Sequence, residues 1–234
     1  MSATDFGAGV VTNTTRQYTT TVLTPLGDVS GWAVGAWVRH GTFAGNEVLA
    51  GFGVGGAASS FQLCTFGGGQ YGAQVRDASG ANYPIAGDTL IVAQYSDANG
   101  FLETYIIPES TTVSGPSDSS GAALATVTPG TGWYIGSDGT DWTKTPLGEI
   151  FVINRRLTNA ELTTLAAGAQ ITAVLTPQLY WAFRAGANAT ETNTGSVGAS
   201  GNATRVGTGY TTTTDFFSVA GGGGSSDQAL LLLL

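Results

Sequence analysis

The chain has 234 residues and a formal net charge of −8, and only 10% of its residues are charged whereas 36 are glycine and 42% are hydrophobic. The hydrophobic share excludes a disordered chain, and this length can bury the core of one large domain. Because only eight residues are lysine or arginine, nucleic acids are not expected partners.

The N-terminal segment, residues 1–24, is expected to form an extended arm ahead of a single large domain over residues 25–219. It lacks the basic region and apolar core of a secretory signal, so we expect the chain to be made in the cytoplasm without export. The single cysteine, Cys64, allows no disulfide within the chain. It lies in a strand-like run and is expected to be a small buried side chain.

Strand patterns recur at short intervals along the domain, separated by glycine-rich or Asn-Gly turns. In residues 32–39 the alternation places Trp32, Val34, Ala36 and Val38 on one face of a strand. The same kind of pattern predicts two hairpins and a late strand, at residues 61–66 with 71–76, 90–95 with 101–107, and 179–184. Together these elements predict an all-β domain.

Three stretches interrupt this pattern. Residues 108–130 are rich in Ser, Thr, Gly and Pro, and are expected to form a long connection with a weak strand at 122–127. Residues 185–208 contain almost no large apolar side chain, which predicts an exposed loop or a thin edge hairpin. Residues 220–226 have the composition of a flexible linker that leads into an apolar C-terminus.

Residues 148–168 carry the most specific local pattern of the chain. The apolar run at 150–153 favours a strand buried on both faces. Thr158 and Glu161 then stand at the spacing of a helix capping box, flanked by Leu157 and Leu162 at the spacing of a hydrophobic staple. The sequence therefore predicts a strand, a turn and one short capped helix.

A strand that ends in Arg-Arg-Leu and is followed by Thr-x-x-Glu resembles the closing part of laminin-G-like jelly rolls, which belong to the concanavalin A-like lectin/glucanase fold. Residues 31–39 (GWAVGAWVR), 88–107 and 133–136 (WYIG) resemble earlier strands of that family. The resemblance implies an antiparallel jelly-roll β-sandwich with one short helix after the closing strand, which acts as a lid.

Catalysis is not expected from the acidic residues. Glucanases of this fold use paired glutamates on one strand, so that an acid and a nucleophile lie on the same face. That spacing is absent here: Glu149 has no carboxylate within four residues, and we expect it to be structural. His40 has no motif around it, and Arg155 and Arg156 suit turn residues at a strand exit. We therefore predict a non-enzymatic protein with no catalytic residues.

Ligand binding is expected from one loop, residues 136–143. Members of the resembled family often bind Ca²⁺ and sugars through loops with Asp, Asn and aromatic residues, which supply hard oxygen ligands and rings that stack on sugars. Asp138 and Asp141 are the candidate ligands, and Trp142 is the candidate stacking platform. An Asp-Gly pair in a loop most often forms a plain turn, so calcium is the one cofactor considered and no metal site is assigned.

The C-terminal segment, residues 220–234, combines the linker with five consecutive leucines: Leu230, Leu231, Leu232, Leu233 and Leu234. This run is too short to cross a bilayer, which takes about 20 apolar residues. Exposed leucines would favour aggregation. We expect the tail to dock into a groove on a partner or a neighbouring subunit, or else to fold back on its own domain.

A glycine- and threonine-rich, disulfide-free chain of this fold resembles virion surface proteins of tailed bacteriophages. That resemblance implies a structural protein of the virion surface, used for capsid decoration or stabilisation, or as a head-fibre or tail protein. Its partners would be other virion proteins, and further copies of itself in a homo-oligomer. The alternative is a carbohydrate-binding adhesin that recognises host cell-surface glycans. A bacterial surface lectin is a third interpretation, which the absent signal peptide disfavours.

Overall fold

A computed structural model of the chain describes residues 3–5, 16–20, 31–39, 47–52, 61–66, 70–75, 78–79, 83–84, 88–96, 101–121, 132–136, 147–183, 190–207 and 211–213. These residues form two antiparallel sheets, with two short helices on the outside of one of them. This architecture confirms the predicted all-β sandwich.

Sheet A contains eight strands, which are numbered here in chain order. Its spatial order is β11 (Asp118–Gly121), β10 (Phe101–Pro108), β9 (Asp88–Ser96), β3 (Gly31–Arg39), β13 (Leu147–Ile153), β1 (Ala3–Asp5) and β17 (Thr211–Thr213). Strand β14 (Leu179–Trp181) also pairs with β13.

Sheet B contains nine strands. Its order is β15 (Thr190–Glu191), β16 (Ala203–Gly207), β2 (Arg16–Thr19), β12 (Tyr134–Ile135), β4 (Glu47–Phe52), β5 (Phe61–Phe66), β6 (Gln70–Val75) and β7 (Ala78–Ser79), with β8 (Tyr83–Pro84) also paired to β6. The helices are α1 (Asn159–Ala166), α2 (Ile171–Val174) and a 3-10 turn at Gly198–Gly201.

The main core lies between the two sheets. Strand β3 contributes Trp32, Val34, Ala36 and Val38 to this core, as its alternation predicts. Sheet B contributes apolar side chains from the facing side, and the Trp32 and Phe61 rings meet edge to face at 5.3 Å between centroids. Alternate residues of each strand therefore hold the sandwich together through burial of apolar surface.

A second core covers the outer face of sheet A. Leu162 and Leu165 of α1 pack with Trp37 and Phe151 of the sheet, so the predicted helical lid is confirmed. All seven residues of β13 are buried, which confirms the strand predicted to be covered on both faces. The Phe151 ring lies 2.4 Å from where a Cβ at Gly35 would be, which explains why glycine occupies that position.

Both predicted hairpins and the late strand are present as β5–β6, β9–β10 and β14. The buried position of Cys64 is also confirmed. Within the long connection the described residues form β11 at Asp118–Gly121, and the weak strand expected at 122–127 lies outside the described ranges. At 190–207 the structure forms an edge hairpin of β15 and β16, in agreement with the second of the two expectations.

Part of the N-terminal segment, which was expected to form an extended arm, is paired in the two sheets. Residues 3–5 pair as β1 in sheet A, and residues 16–19 pair as β2 between β12 and β16 in sheet B. The reason is the fully buried side chain of Tyr18, which packs in the main core and contacts Phe183 edge to face. The described sandwich thus extends beyond the predicted 25–219 at its N-terminal side, and residues 220–234 lie outside the described part.

Candidate functional site

The residues predicted to bind ligands or partners lie outside the described residues. This applies to Asp138, Asp141 and Trp142, and to Leu230, Leu231, Leu232, Leu233 and Leu234. His40, for which no binding role is predicted, also lies outside the described residues. The structure does define where the candidate loop begins and ends. It leaves sheet B at Gly136, just after β12, and enters sheet A at Leu147, the first residue of β13.

The Arg-Arg-Leu segment, in contrast, is fully described, and its first arginine secures the helix. Arg155 donates to both carboxylate oxygens of Glu161, at 3.0 and 2.6 Å. The predicted capping box is present, since Thr158 and Glu161 each bond to the other's backbone N–H. The hydrogen bond from Arg155 lowers the pKa of Glu161 to about 2. Arg155 therefore stabilises the start of α1.

Arg156 joins a polar network on the outer face of sheet A. Its guanidinium forms an ion pair with Glu103 of β10. Gln94 of β9 donates to Glu103 and to the Tyr105 hydroxyl, at 3.1 Å each, and accepts from the backbone N–H of Leu157 at 2.9 Å. The turn before α1 is thus tied to β9 and β10, which confirms the prediction that the two arginines are structural.

Glu149 is completely buried in β13. Its carboxylate accepts a 2.6 Å hydrogen bond from the hydroxyl of Tyr180 in β14. A carboxylate enclosed in this way has no path to a substrate in solvent. The position agrees with the predicted structural role.

A polar row crosses the outer face of sheet B, where no described helix packs. Residues directly opposite on antiparallel strands share a face of the sheet. The pairings place the following residues in one line across six strands: Thr190 (β15), Thr204 (β16), Thr19 (β2), Tyr134 (β12), Gly51 (β4) and Gln62 (β5). Their chain neighbours Tyr18, Phe61, Ile135 and Ala203 point into the main core, so the row faces outward.

The row changes from exposed to buried along its length. Thr190 and Thr204 are exposed and Thr19 is half-buried, and these three residues are called the threonine row below. Tyr134 and Gln62 are 7% and 5% exposed, and the Gln62 side-chain amide donates to the Tyr134 hydroxyl at 3.0 Å. Among the residues of this row whose burial is described, the accessible ones are therefore the threonine row, beside a buried tyrosine–glutamine pair.

The absence of a side chain at Gly51 permits this pair. The Tyr134 hydroxyl lies 2.9 Å from where a Cβ at Gly51 would be, and the Phe61 carbonyl oxygen lies 2.3 Å from it. A residue with a Cβ would push the tyrosine away from Gln62. Glycine at this point of β4 thus allows a residue of β12 to bond with one of β5 across the strand between them.

The threonine row has a chemistry suited to neutral polar ligands. Each hydroxyl can donate one hydrogen bond and accept two. Neighbouring strands lie about 4.8 Å apart, so the hydroxyls follow one another at that spacing. Val206, 37% exposed, lies two residues after Thr204 on the same face and adds an apolar surface. Among the described residues, this part of the face therefore offers three threonine hydroxyls and one exposed apolar side chain.

Titratable groups lie beneath the threonine row, on the inner side of sheet B. Glu191 of β15 is buried and accepts from the Phe183 backbone N–H at 2.7 Å. Burial raises the pKa of its carboxyl group. Burial and the nearby Glu191 charge raise the pKa of Tyr18 to about 12. These groups are enclosed and do not reach the outer face.

Two further properties of the described residues bear on their chemistry. Within them, no cluster of three or more His, Cys, Asp or Glu side chains is placed to hold a metal ion. None of their helices combines the length and apolar character that crossing a bilayer requires. The loop of Asp138 and Asp141 falls outside both statements.

Sequence reasoning missed the polar row because its members come from separate, very short strands. β12 and β15 have two residues each, too few for an alternation to be visible. The available signal was the alternation of Ala203, Thr204, Arg205 and Val206, in which Ala203 faces inward and Thr204 outward. Only the pairing register brings the row together.

No family model matches the sequence, and no curated protein matches it significantly. Among solved structures, a proposed carbohydrate-binding protein from Bacteroides ovatus ATCC 8483 matches with a TM-score of 0.60 and 16% identity over 84% of this chain. The chain spans 57% of the length of that protein. The heptameric SAP-like pentraxin from Limulus polyphemus matches with a TM-score of 0.52 and 13% identity, over 73% of this chain and 83% of that one.

A sialidase from Trypanosoma rangeli matches with a TM-score of 0.41 over 58% of this chain and 22% of its own, a likeness too partial to bear on activity. The first two matches support the two-sheet sandwich described above. By fold, the chain is similar to lectin-like jelly-roll sandwiches.

Proposed function

We propose that this protein is a non-enzymatic, lectin-like module that binds carbohydrate at the outer face of sheet B and through the loop that follows β12. The observation that carries the proposal is the threonine row, which lies on the sheet face that α1 and α2 leave uncovered. Sugars present closely spaced hydroxyl groups and carry apolar ring faces. The row and Val206 match both features.

The loop at 137–146 adds the groups expected from the sequence. It starts three residues after Tyr134, so the candidate residues Asp138, Asp141 and Trp142 follow closely, in the sequence, on a strand of the polar row. An indole ring can stack on the apolar face of a pyranose. The two carboxylates could bind Ca²⁺ or accept from sugar hydroxyls. A calcium titration with no change in melting temperature would remove the metal from this proposal.

Several glutamates are buried or held in ion pairs, which supports a binding role rather than hydrolysis. Glycosidases need two carboxyl groups that flank the sugar bond from accessible positions. Glu149 is enclosed with Tyr180, whereas Glu103 and Glu161 are held by Arg156 and Arg155. Glu191 is buried at the sheet edge. None of these four carboxylates is placed to attack a substrate.

The likeness to the Bacteroides ovatus structure also supports a carbohydrate ligand, since that protein is itself proposed to bind carbohydrate. The direct test is a glycan array with the full chain and with three variants, Thr204→Val, Trp142→Ala and Thr172→Val. Thr172 is an exposed threonine of α2 and serves as the matched control. We expect a defined set of glycans to bind the wild type and the control. Thr204→Val and Trp142→Ala should each weaken binding to these glycans.

We further propose that the module belongs to the surface of a bacteriophage virion, where residues 220–234 attach it to other virion proteins as a decoration or fibre component. It would be made in the host cytoplasm. The support is compositional: 10% charged residues, 36 glycines and a leucine run after a glycine linker. The test is whether purified protein rebinds particles that lack it. Deleting residues 221–234 should abolish rebinding, and unchanged rebinding with lowered thermal stability would contradict tail docking.

A further inference from the structure

Strand β17 is an outer strand of sheet A. Its three residues, Thr211, Thr212 and Thr213, pair with β1 in continuous antiparallel register, with no bulge. In the described part of the chain no strand pairs with its other side. An outer strand of this kind presents backbone N–H and C=O groups to any strand that can approach it.

The other outer strands of the two sheets are less suited to pairing. β7, β8 and β15 have only two residues each, and β15 contains Glu191. β11, at the opposite end of sheet A, begins with Asp118 and follows Pro116 closely. Short length, charge and nearby proline are the ways in which natural sheets block their edges. β17 consists of uncharged β-branched residues, which favour strand pairing.

We propose that β17 pairs with β17 of a second copy of this chain, antiparallel and about a two-fold axis at Thr212. In this arrangement Thr212 lies opposite Thr212 of the second copy, and Thr211 lies opposite Thr213. The sequence Thr-Thr-Thr is the same in both directions, so every pair is threonine against threonine, a favourable cross-strand pair. The two copies of sheet A become one continuous sheet.

A second copy is favoured as the partner because the Thr-Thr-Thr strand is uncharged and reads the same in both directions, so it complements itself. The chain carries a net charge of −8, so two copies repel each other over most of their surface. β17 is uncharged, and the nearest charge in the described register is Asp5, opposite Thr211 on β1. Contact through β17 brings the copies together without placing carboxylates against each other. Three residues per strand provide few hydrogen bonds, so the dimer depends on concentration.

The inference is independent of carbohydrate binding and is tested by sedimentation equilibrium of the full chain over a wide concentration range. The variants are Thr212→Lys and Thr212→Glu, which place like charges opposite each other at the two-fold axis. Thr172→Lys, on exposed α2, is the matched control. Circular dichroism melts show that each variant is folded. We expect the wild type and the control to dimerise, and each Thr212 variant to raise the dimer dissociation constant by about fivefold.

The decisive measurement is an equimolar mixture of Thr212→Lys and Thr212→Glu, because opposite charges then face each other. The mixture should recover dimers at or above the wild-type level, even where each variant alone is partly destabilised. A monomeric wild type at all concentrations would overturn the proposal. The proposal would also be overturned if both single variants dimerised as strongly as the wild type. The same holds if the mixture dimerised no better than its components.

Discussion

Arg156, in the turn after β13, forms an ion pair with Glu103 of β10, 53 residues earlier in the chain. The pair belongs to a network with Gln94, which also accepts the Leu157 backbone N–H. One arginine of the closing motif therefore joins the helical layer to two strands of sheet A. This contact explains why the motif has a second arginine.

Replacing Arg156 with methionine should destabilise the fold, because Glu103 would remain only 14% exposed at its side chain without its cation. The expected loss is about 1–3 kcal/mol in the free energy of unfolding, measured by urea denaturation. The control is Arg155→Met, whose side chain is 45% exposed and which should cost less than about 1 kcal/mol. Equal losses for the two variants would show that the network adds nothing.

The ion pair of Arg155 and Glu161 should make stability depend on pH in acid. The pKa of Glu161 is lowered from 4.5 to about 2, so the ionised form stabilises the folded state. This contribution is complete above the unfolded pKa and is lost as the pH falls from about 4.5 to 2. Glu161→Gln should flatten the stability profile in this window. An unchanged profile in chemical denaturation at pH 2 to 5 would contradict the assignment.

Glu191 should have the opposite effect. Burial raises the pKa of its carboxyl group, so the protonated form is favoured in the folded state. Stability from this group is complete below the unfolded pKa and falls as the pH rises through the folded value. Glu191→Gln keeps an acceptor for the Phe183 N–H and removes the charge. Relative to wild type, the variant should gain stability as the pH rises above 4.5, as thermal melts at several pH values would show.

Gly51→Ala tests the polar row. The new Cβ would lie 2.3 Å from the Phe61 carbonyl oxygen and 2.9 Å from the Tyr134 hydroxyl, so β4 or Tyr134 must move. We expect a loss of about 1–3 kcal/mol in unfolding free energy, as for other overpacked sites. Gly115→Ala is the control, since nothing lies within 4 Å of its Cβ position. If both substitutions are equally tolerated, the contact of Tyr134 across Gly51 is not a constraint on the sheet.

The sequence predicted the longer elements because their patterns depend on local physics. The alternation of β3 and the buried run of β13 follow from one strand's own residues. The capping box of Thr158 and Glu161 likewise needs only neighbours in the chain.

Strands β1, β2 and β17 were missed because local sequence patterns do not mark them. Each has three or four residues, and its burial or pairing depends on partners far away in the sequence. Tyr18 is a core side chain in a segment rich in threonine, so no apolar period marks it. The threonine row depends on the same long-range register. For Asp138, Asp141, Trp142 and the leucine tail, the sequence predictions stand as proposals.

The central claim, that the outer face of sheet B binds carbohydrate, is tested most directly by calorimetric titration of an array-selected glycan. Thr204→Val removes one exposed hydroxyl of the threonine row with little change in volume, and Thr172→Val makes the same change on α2. A hydrogen bond of about 1 kcal/mol corresponds to a loss of affinity of about fivefold. We predict this loss for Thr204→Val and wild-type affinity for Thr172→Val. Equal affinities for the two variants, or no binding by the wild type, would contradict the account.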